Sequence, residues 1–186
     1  MILASGSPRR KDILAMTGMS FEIIVSNVDE TSDTTNPAKL VEELAIKKAK
    51  AVYENCIKSK KQFSSIIGAD TMVVIGEEIL GKPRTVEENL QMLQKLNNRA
   101  HCVYSGVCII KLIDGNPITL SFVEKTEVFF ADNPQKTLKF VSDTKDGLDK
   151  AGGYGIQNYG GLLVEKINGC YYNIMGLPIN RLLKML

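Results

Sequence analysis

Apolar residues along the chain alternate between short, unbroken runs and longer stripes at helical spacing. Met1-Ile2-Leu3-Ala4 reads as a short buried strand, and Phe21 to Val25 as a second. Between them, Gly6 permits a tight turn, Ser7 suits a helix N-cap and Pro8 suits the first helical position. Ile13, Leu14 and Thr17 continue at helical spacing to a stop at Gly18. Asn36-Pro37 opens a helix running to about Lys58, with an apolar stripe of Leu40, Val41, Leu44, Ala45, Ala49 and Val52. Ile66 to Ile75 is a near-continuous apolar run, as in central strands buried on both faces. Gly76-Glu77 turns it back into Glu78-Ile79-Leu80. Thr85-Val86-Glu87-Glu88 is a capping box for a helix through Leu96. His101 to Ile110 alternates as a long strand, with Asp114-Gly115 a turn before a partner from Ile118 to Phe130. Asn133-Pro134 begins a short helix to about Asp143. Leu162 to Ile167 and a segment around Tyr171 to Ile174 flank Asn168-Gly169, a hairpin signal. Gly176-Leu177-Pro178 leads into a final amphipathic helix.

Length and charge narrow the classes. A chain of 186 residues is one domain of ordinary size, or two lobes sharing one core, with no separate linker. A net charge of +2 implies no broad basic face, so nucleic acid is not an expected partner. No apolar run reaches the ~20 residues of a membrane span, and no leader precedes the first strand, so a cytoplasmic protein is expected. Cys56, Cys102, Cys108 and Cys170 form no C-x-x-C pair and read as reduced thiols. With His101 the sole histidine, a His-rich zinc site is excluded. A homodimer is left open.

Candidate chemistry collects at a few anomalies. The Ser5-Gly6-Ser7-Pro8-Arg9-Arg10 junction aims helix N–H groups at one point, where an anion can sit. Arg9 and Arg10 oppose the positive end of the helix dipole, a conflict that a bound polyanion removes. The alternative is a capped helix whose arginines face water. Lys48 falls in the middle of the long helix's apolar stripe, where it either snorkels or reaches inward to an anion. Asp70 interrupts a buried strand and needs a donor, a cation or a metal. Lys82 and Arg84 bring two cations to the end of the Glu78–Leu80 hairpin. The stretch from Gly147 to Gln157 is dense in glycine, allowing close backbone approach to a ligand, or serving as a flexible linker.

These features suit a metal-bound polyphosphate, and at this point the sequence resembles the Maf-like nucleoside triphosphate pyrophosphatases, in their dTTP/UTP branch. The matching stretches are Leu3 to Arg10, Gly68-Ala69-Asp70-Thr71, Leu80 to Arg84, His101 to Val107 and Asp149 through Gln157. The resemblance implies an α/β fold: a twisted mixed sheet with helices on its faces, and two lobes flanking a deep cleft. It implies metal-dependent hydrolysis of a nucleoside triphosphate to the monophosphate and diphosphate, with Mg²⁺ or Mn²⁺ as cofactor. By motif, Asp70 would be the proton acceptor, and Ser7, Arg10, Lys48 and Lys82 would hold phosphates. Glu30 would join Asp70 at the metal. Arg9, Thr71 and Gln157 would be the positions that mark the branch. The residues before Lys48 are Ile46-Lys47, where relatives often carry arginine and glutamate, which bears on how Lys48 is neutralised.

Two rival readings stand beside this one. Nucleotidyltransferases also begin strand, Leu-Ala-x-Gly, then arginine, but usually have a Pro-Lys pair soon after, which is absent here. A nucleotide-binding regulator of cell division is the non-enzymatic alternative. Asp70 argues against pure binding, since a polyphosphate site gains nothing from a bare carboxylate without a metal or a water.

Overall fold

The computed structural model describes residues 1–186. The N-terminal strand β1 (Ile2–Ala4) is followed by α1 (Pro8–Ala15) and a short β2 (Glu22–Ile23). The long helix α2 (Pro37–Lys58) precedes the hairpin of β3 (Ser65–Ile75) and β4 (Glu78–Leu80). Next come α3 (Val86–Leu96), the long strands β5 (Ala100–Ile113) and β6 (Asn116–Phe130), and α4 (Gln135–Asp143). Two 3₁₀ turns, Ala151–Gly153 and Tyr159–Leu163, lead to β7 (Val164–Asn168), α5 (Tyr171–Ile174) and α6 (Ile179–Leu183). The strands form one open seven-stranded sheet in the order β2-β1-β3-β5-β6-β7, with β4 paired to β3. Parallel pairing of β1 with β2 and β3, and antiparallel pairing of β3 with β4 and β6 with β7, make it mixed. The fold is therefore α/β. No helix is long and apolar enough to cross a membrane.

Contacts divide the chain into two compact units. The first comprises Met1–Asp70, Ser105–Glu124 and Gly176–Leu186, and the second Thr71–Tyr104 and Lys125–Met175. In the first unit, Ile2, Ala4 and Ile66 of the sheet bury against Ala45, Ala49, Val52 and Cys56 of α2. Two glycines permit that approach. A Cβ on Gly68 would lie 2.4 Å from the Ala45 carbonyl oxygen, and one on Gly106 would lie 2.2 Å from that of Val41. In the second unit, Leu93 and Leu96 of α3 pack with Leu138 and Val141 of α4, Phe130 and Tyr154.

Local signals place most elements where the sequence puts them. Asn36 Oδ1 accepts from the Lys39 backbone N–H, and Pro37 occupies the first turn of α2. Thr85 Oγ1 accepts from the Glu88 N–H, but Glu88 reaches back to the N–H of Arg84, one residue before the position a capping box would use. Positive φ at Asp114 and Gly115 closes the β5–β6 turn. The second strand is shorter than expected, two residues instead of Phe21 to Val25.

The Asn168-Gly169 hairpin is not formed. After β7 the chain enters the one-turn α5, because Thr126 captures the next residue. Thr126 Oγ1 donates to the Cys170 carbonyl at 3.1 Å, and accepts from the Cys170 N–H at 3.0 Å and from Asn173 Nδ2 at 3.0 Å. Both backbone groups of Cys170 are thus engaged by one side chain and do not continue a ladder. The glycine-dense stretch is likewise no linker. Gly152 and Gly153 hold positive φ and are buried, with Gly152 against Val73 and Gly153 against Asn89. These glycines let protein pack on protein.

Candidate active site

The first unit carries most of the residues singled out in the sequence. Lys48 projects from α2 and Asp70 from β3, and their side chains meet with Nζ 2.7 Å from Asp70 Oδ1. Gly68 and Asp70 share one face of β3 by strand alternation, and Ala45, Lys48 and Ala49 share one face of α2. The close approach at Gly68 therefore sets the Lys48–Asp70 distance. Lys48 does not snorkel. It is 9% exposed and Asp70 is 8% exposed, so each charge needs the other. Glu30, from the segment between β2 and α2, supplies a second carboxylate, its Oε1 2.7 Å from the same Nζ. This is how Lys48 is neutralised. Neighbouring Lys47 is not involved: it pairs with Glu43 at 3.1 Å and donates to the Thr31 carbonyl at 2.8 Å.

The β1–α1 junction faces the same charges. Arg10 donates through Nε to the Gly176 carbonyl at 2.8 Å and through Nη1 to Ser5 Oγ at 3.1 Å. Burial lowers the Arg10 pKa, Asp70 opposes that shift, Arg9 adds to it and Glu30 opposes it. The arginine is thus held in the field of both carboxylates and does not simply point into water. Ser7 occupies the N-cap position of α1, but its hydroxyl makes no capping hydrogen bond. Its backbone N–H instead donates to Ser5 Oγ at 3.2 Å. Gly6 keeps a negative φ, so the junction does not use its left-handed freedom. Ser5, 6% exposed, is the organiser that sequence reasoning missed. Its place between a buried strand and two arginines was the available signal.

The second unit holds the remaining candidates. Thr71 follows Asp70 on β3 and is half-buried. Lys82 lies exposed just past β4, and its corner is tied to the glycine stretch by the Gly152 N–H donating to the Gly81 carbonyl at 3.1 Å. Gln157 is exposed, on a loop fastened from both sides. Asn158 Nδ2 donates to Asp146 Oδ1 at 2.8 Å, and Gly155 lies so close to the Lys150 stem that a Cβ would be 2.7 Å from Cε. Lys150, 7% exposed, pairs with Asp149 at 2.8 Å and Asp146 at 3.1 Å, and its ammonium also donates to the Asp146 carbonyl. Asn89 braces the same stretch by donating to the Gly153 carbonyl at 2.7 Å. Sequence reasoning missed Lys150 and Asn89. A buried asparagine on the stripe it shares with Leu93 and Leu96 was the signal for the second.

His101 is fully enclosed in this unit. Its Nε2 is 2.7 Å from the Tyr154 hydroxyl, and Phe130 and Tyr154 both meet its ring edge to face. Burial lowers its pKa to about 4, so it is neutral at ordinary pH. It is a core residue.

The fit of a divalent ion can be judged from the carboxylates. No group of three or more His, Cys, Asp and Glu side chains is placed to hold a metal. Glu30 and Asp70 nevertheless converge on one cation, the Lys48 ammonium, each at 2.7 Å. Mg²⁺ is commonly bound by one or two carboxylates, with substrate phosphates and water completing its shell. The pair fits that requirement, and does not fit a closed all-protein cage.

Comparison with known proteins places this arrangement. The Maf-like protein family matches residues 1–186. A protein named dTTP/UTP pyrophosphatase from Bacillus cereus (strain AH820) is 44% identical over 187 aligned residues, covering 100% of this chain and 93% of the relative. One of the same name from Bacillus anthracis is also 44% identical, with the same coverage. A third, from Thermoanaerobacter sp. (strain X514), is 41% identical over 186 residues, covering 100% of this chain and 94% of its own. With the match running from end to end, the chain belongs to the Maf-like family.

Proposed function

We propose that the chain hydrolyses dTTP and UTP to the monophosphate and diphosphate by attack of water on the α-phosphorus. The observation that carries this reading is the meeting of Lys48, Asp70 and Glu30, with Arg10 in the same field. The names of the full-length relatives support the substrate and the reaction. Asp70 Oδ1 faces the Lys48 ammonium, and the second oxygen of that carboxylate is assigned as the acceptor of the water's proton. Ser7, Arg10 and Lys48 bind phosphate oxygens, Arg9 contacts the substrate as a branch-marking residue, and Lys82 adds a further phosphate-binding cation where negative charge builds in the transition state. Glu30 and Asp70 would hold Mg²⁺ or Mn²⁺. Such an ion would polarise the phosphate and lower the charge cost of attack.

Gln157 is assigned to the base, assisted by Thr71. Its amide offers an acceptor and two donors in one plane, matching the N–H and carbonyl that uracil and thymine present side by side. Cytosine presents the reversed pair, so discrimination requires an amide that does not flip. The fastening of its loop at Gly155 and Asn158 supports such an amide. A mispaired cytosine costs ~1–3 kcal/mol in an unpaired polar group. The same reading takes the enzyme as cytoplasmic, which the four free cysteines support, and as acting without nucleic acid or membrane. Self-association as a homodimer is testable by light scattering.

The direct experiment is incubation with a panel of nucleoside triphosphates and Mg²⁺ or Mn²⁺ in water alone. Diphosphate is expected from dTTP and UTP, with CTP about tenfold or more slower. Release that requires an acceptor such as a phosphosugar would instead identify a nucleotidyltransferase. Orthophosphate as the product would overturn the reaction class.

A further inference from the structure

The Lys48 ammonium stands where both carboxylates proposed for the metal point. It lies 2.7 Å from Glu30 Oε1 and 2.7 Å from Asp70 Oδ1. A divalent ion taking these same two oxygens would have to enter the space the ammonium fills, and two cations cannot share it at contact distance. Lys48 sits on a buried helical face between Ala45 and Ala49, so a displaced ammonium would lose both partners in a largely buried setting. It needs a new anion. Arg9 and Arg10 already concentrate positive charge at the β1–α1 junction, and Arg10 lies in the field of the same two carboxylates. A bare divalent ion would add two further positive charges to that crowd, against two carboxylates that Lys48 and Arg10 already share. A triphosphate supplies the missing anion.

We propose that Lys48 is an internal stand-in for the divalent cation, keeping Glu30 and Asp70 closed to free metal and releasing them only to a metal that arrives with a triphosphate. This rests on the reading of these carboxylates as the metal site. It adds an order of events, in which the phosphate oxygens take over the ammonium as the metal takes over the carboxylates. Metal and nucleotide then bind with positive coupling, and linkage makes the coupling reciprocal. A free enzyme built this way stays unloaded at metal concentrations that suffice once substrate is present.

The test is a titration of Mn²⁺ followed by the electron paramagnetic resonance signal of the free ion. It is run on wild type and Lys48→Met, with and without a non-hydrolysable α,β-imido analogue of UTP, the analogue's own Mn²⁺ binding being subtracted. Methionine preserves the apolar stem, and thermal melting checks the fold. Lys48→Met is expected to bind Mn²⁺ alone about tenfold or more tightly than wild type. The analogue is expected to raise wild-type Mn²⁺ affinity by about 5- to 150-fold, and to raise that of Lys48→Met much less. Equal affinity of the two proteins for Mn²⁺ alone would overturn the proposal. Glu30→Gln is a second probe on an exposed side chain, 60% accessible. It should weaken analogue-assisted Mn²⁺ binding while leaving Lys48 paired to Asp70, and unchanged binding would count against the proposal. Adding Asp70→Asn to Lys48→Met separates the two levels. If Mn²⁺ still binds as tightly, the ion is not on these carboxylates and the metal reading itself fails.

Discussion

Two buried lysines in this molecule each meet two carboxylates, one largely covered and one exposed, yet they are built for different ends. Lys48 in the first unit pairs with Asp70 and Glu30, whose side chains are 11% and 60% exposed. Lys150 in the second pairs with Asp146 and Asp149, at 17% and 58%. The charges are the same and the covalent spacing is not. Both partners of Lys150 lie within four residues of it, and its ammonium also holds the Asp146 backbone. That is a clasp that ties a loop to itself. The partners of Lys48 come from a strand and a separate segment, and its ammonium touches only carboxylates. Each of those contacts can be exchanged for a phosphate or a metal without unpicking the backbone. A dispersed ion triad marks a place for chemistry, and a local one marks a fastening.

Removing one carboxylate from each triad breaks the comparison most sharply. Asp70→Asn is expected to lower kcat by ~10²- to 10⁴-fold with nucleotide binding retained, as for loss of a general base. Asp146→Asn should leave kcat for UTP nearly intact. Stopped-flow turnover beside nucleotide titration checks both, and a near wild-type kcat in Asp70→Asn would remove the distinction.

The next effect concerns what the clasp holds. Gln157→Ala should lower kcat/KM for UTP about tenfold relative to CTP, flattening the ratio. An unchanged ratio would place base recognition elsewhere. Lys150→Met is expected to act on stability, by roughly 3 kcal/mol, because it strands the carboxylate of Asp146. Urea unfolding measures it, with an unaltered midpoint as the contrary result.

A last effect, spread over several pH units and therefore small at any one pH near neutral, is a pH dependence that originates in the second unit's core. His101 has a folded-state pKa lowered to about 4 from an ordinary 6.5, by burial. The unfolded chain therefore binds the proton more readily, and stability present above pH 6.5 is lost as pH falls towards 4. The full loss is about 3 kcal/mol at the linkage constant for one pH unit. His101→Phe should remove that slope from a plot of unfolding free energy against pH.

What could be read from the sequence follows from the range of each interaction. Asn36, Thr85 and Asp114-Gly115 act within a few residues, and the elements they bound lie close to where the sequence puts them. Lys48 and Asp70 were conspicuous as charges on apolar elements, and the structure makes them partners across 22 residues. Their distance was not legible, because it depends on Gly68 admitting the backbone of α2. Asn168-Gly169 misled for the opposite reason. Its turn propensity is local, and the hydroxyl of Thr126 overrides it by holding Cys170 across 44 residues. The glycine stretch reads equally as a ligand loop or a linker, and the linker is excluded because its glycines make contacts with Val73, Asn89 and Lys150 that only tertiary structure supplies.

The account as a whole turns on which bond the water breaks. Hydrolysis of UTP in ¹⁸O-water, followed by mass spectrometry of both products, reads this directly. Attack on the α-phosphorus, with Asp70 taking the proton, should place one ¹⁸O in the monophosphate and none in the diphosphate. Label in the diphosphate would mean attack on the β-phosphorus and would contradict the assignment.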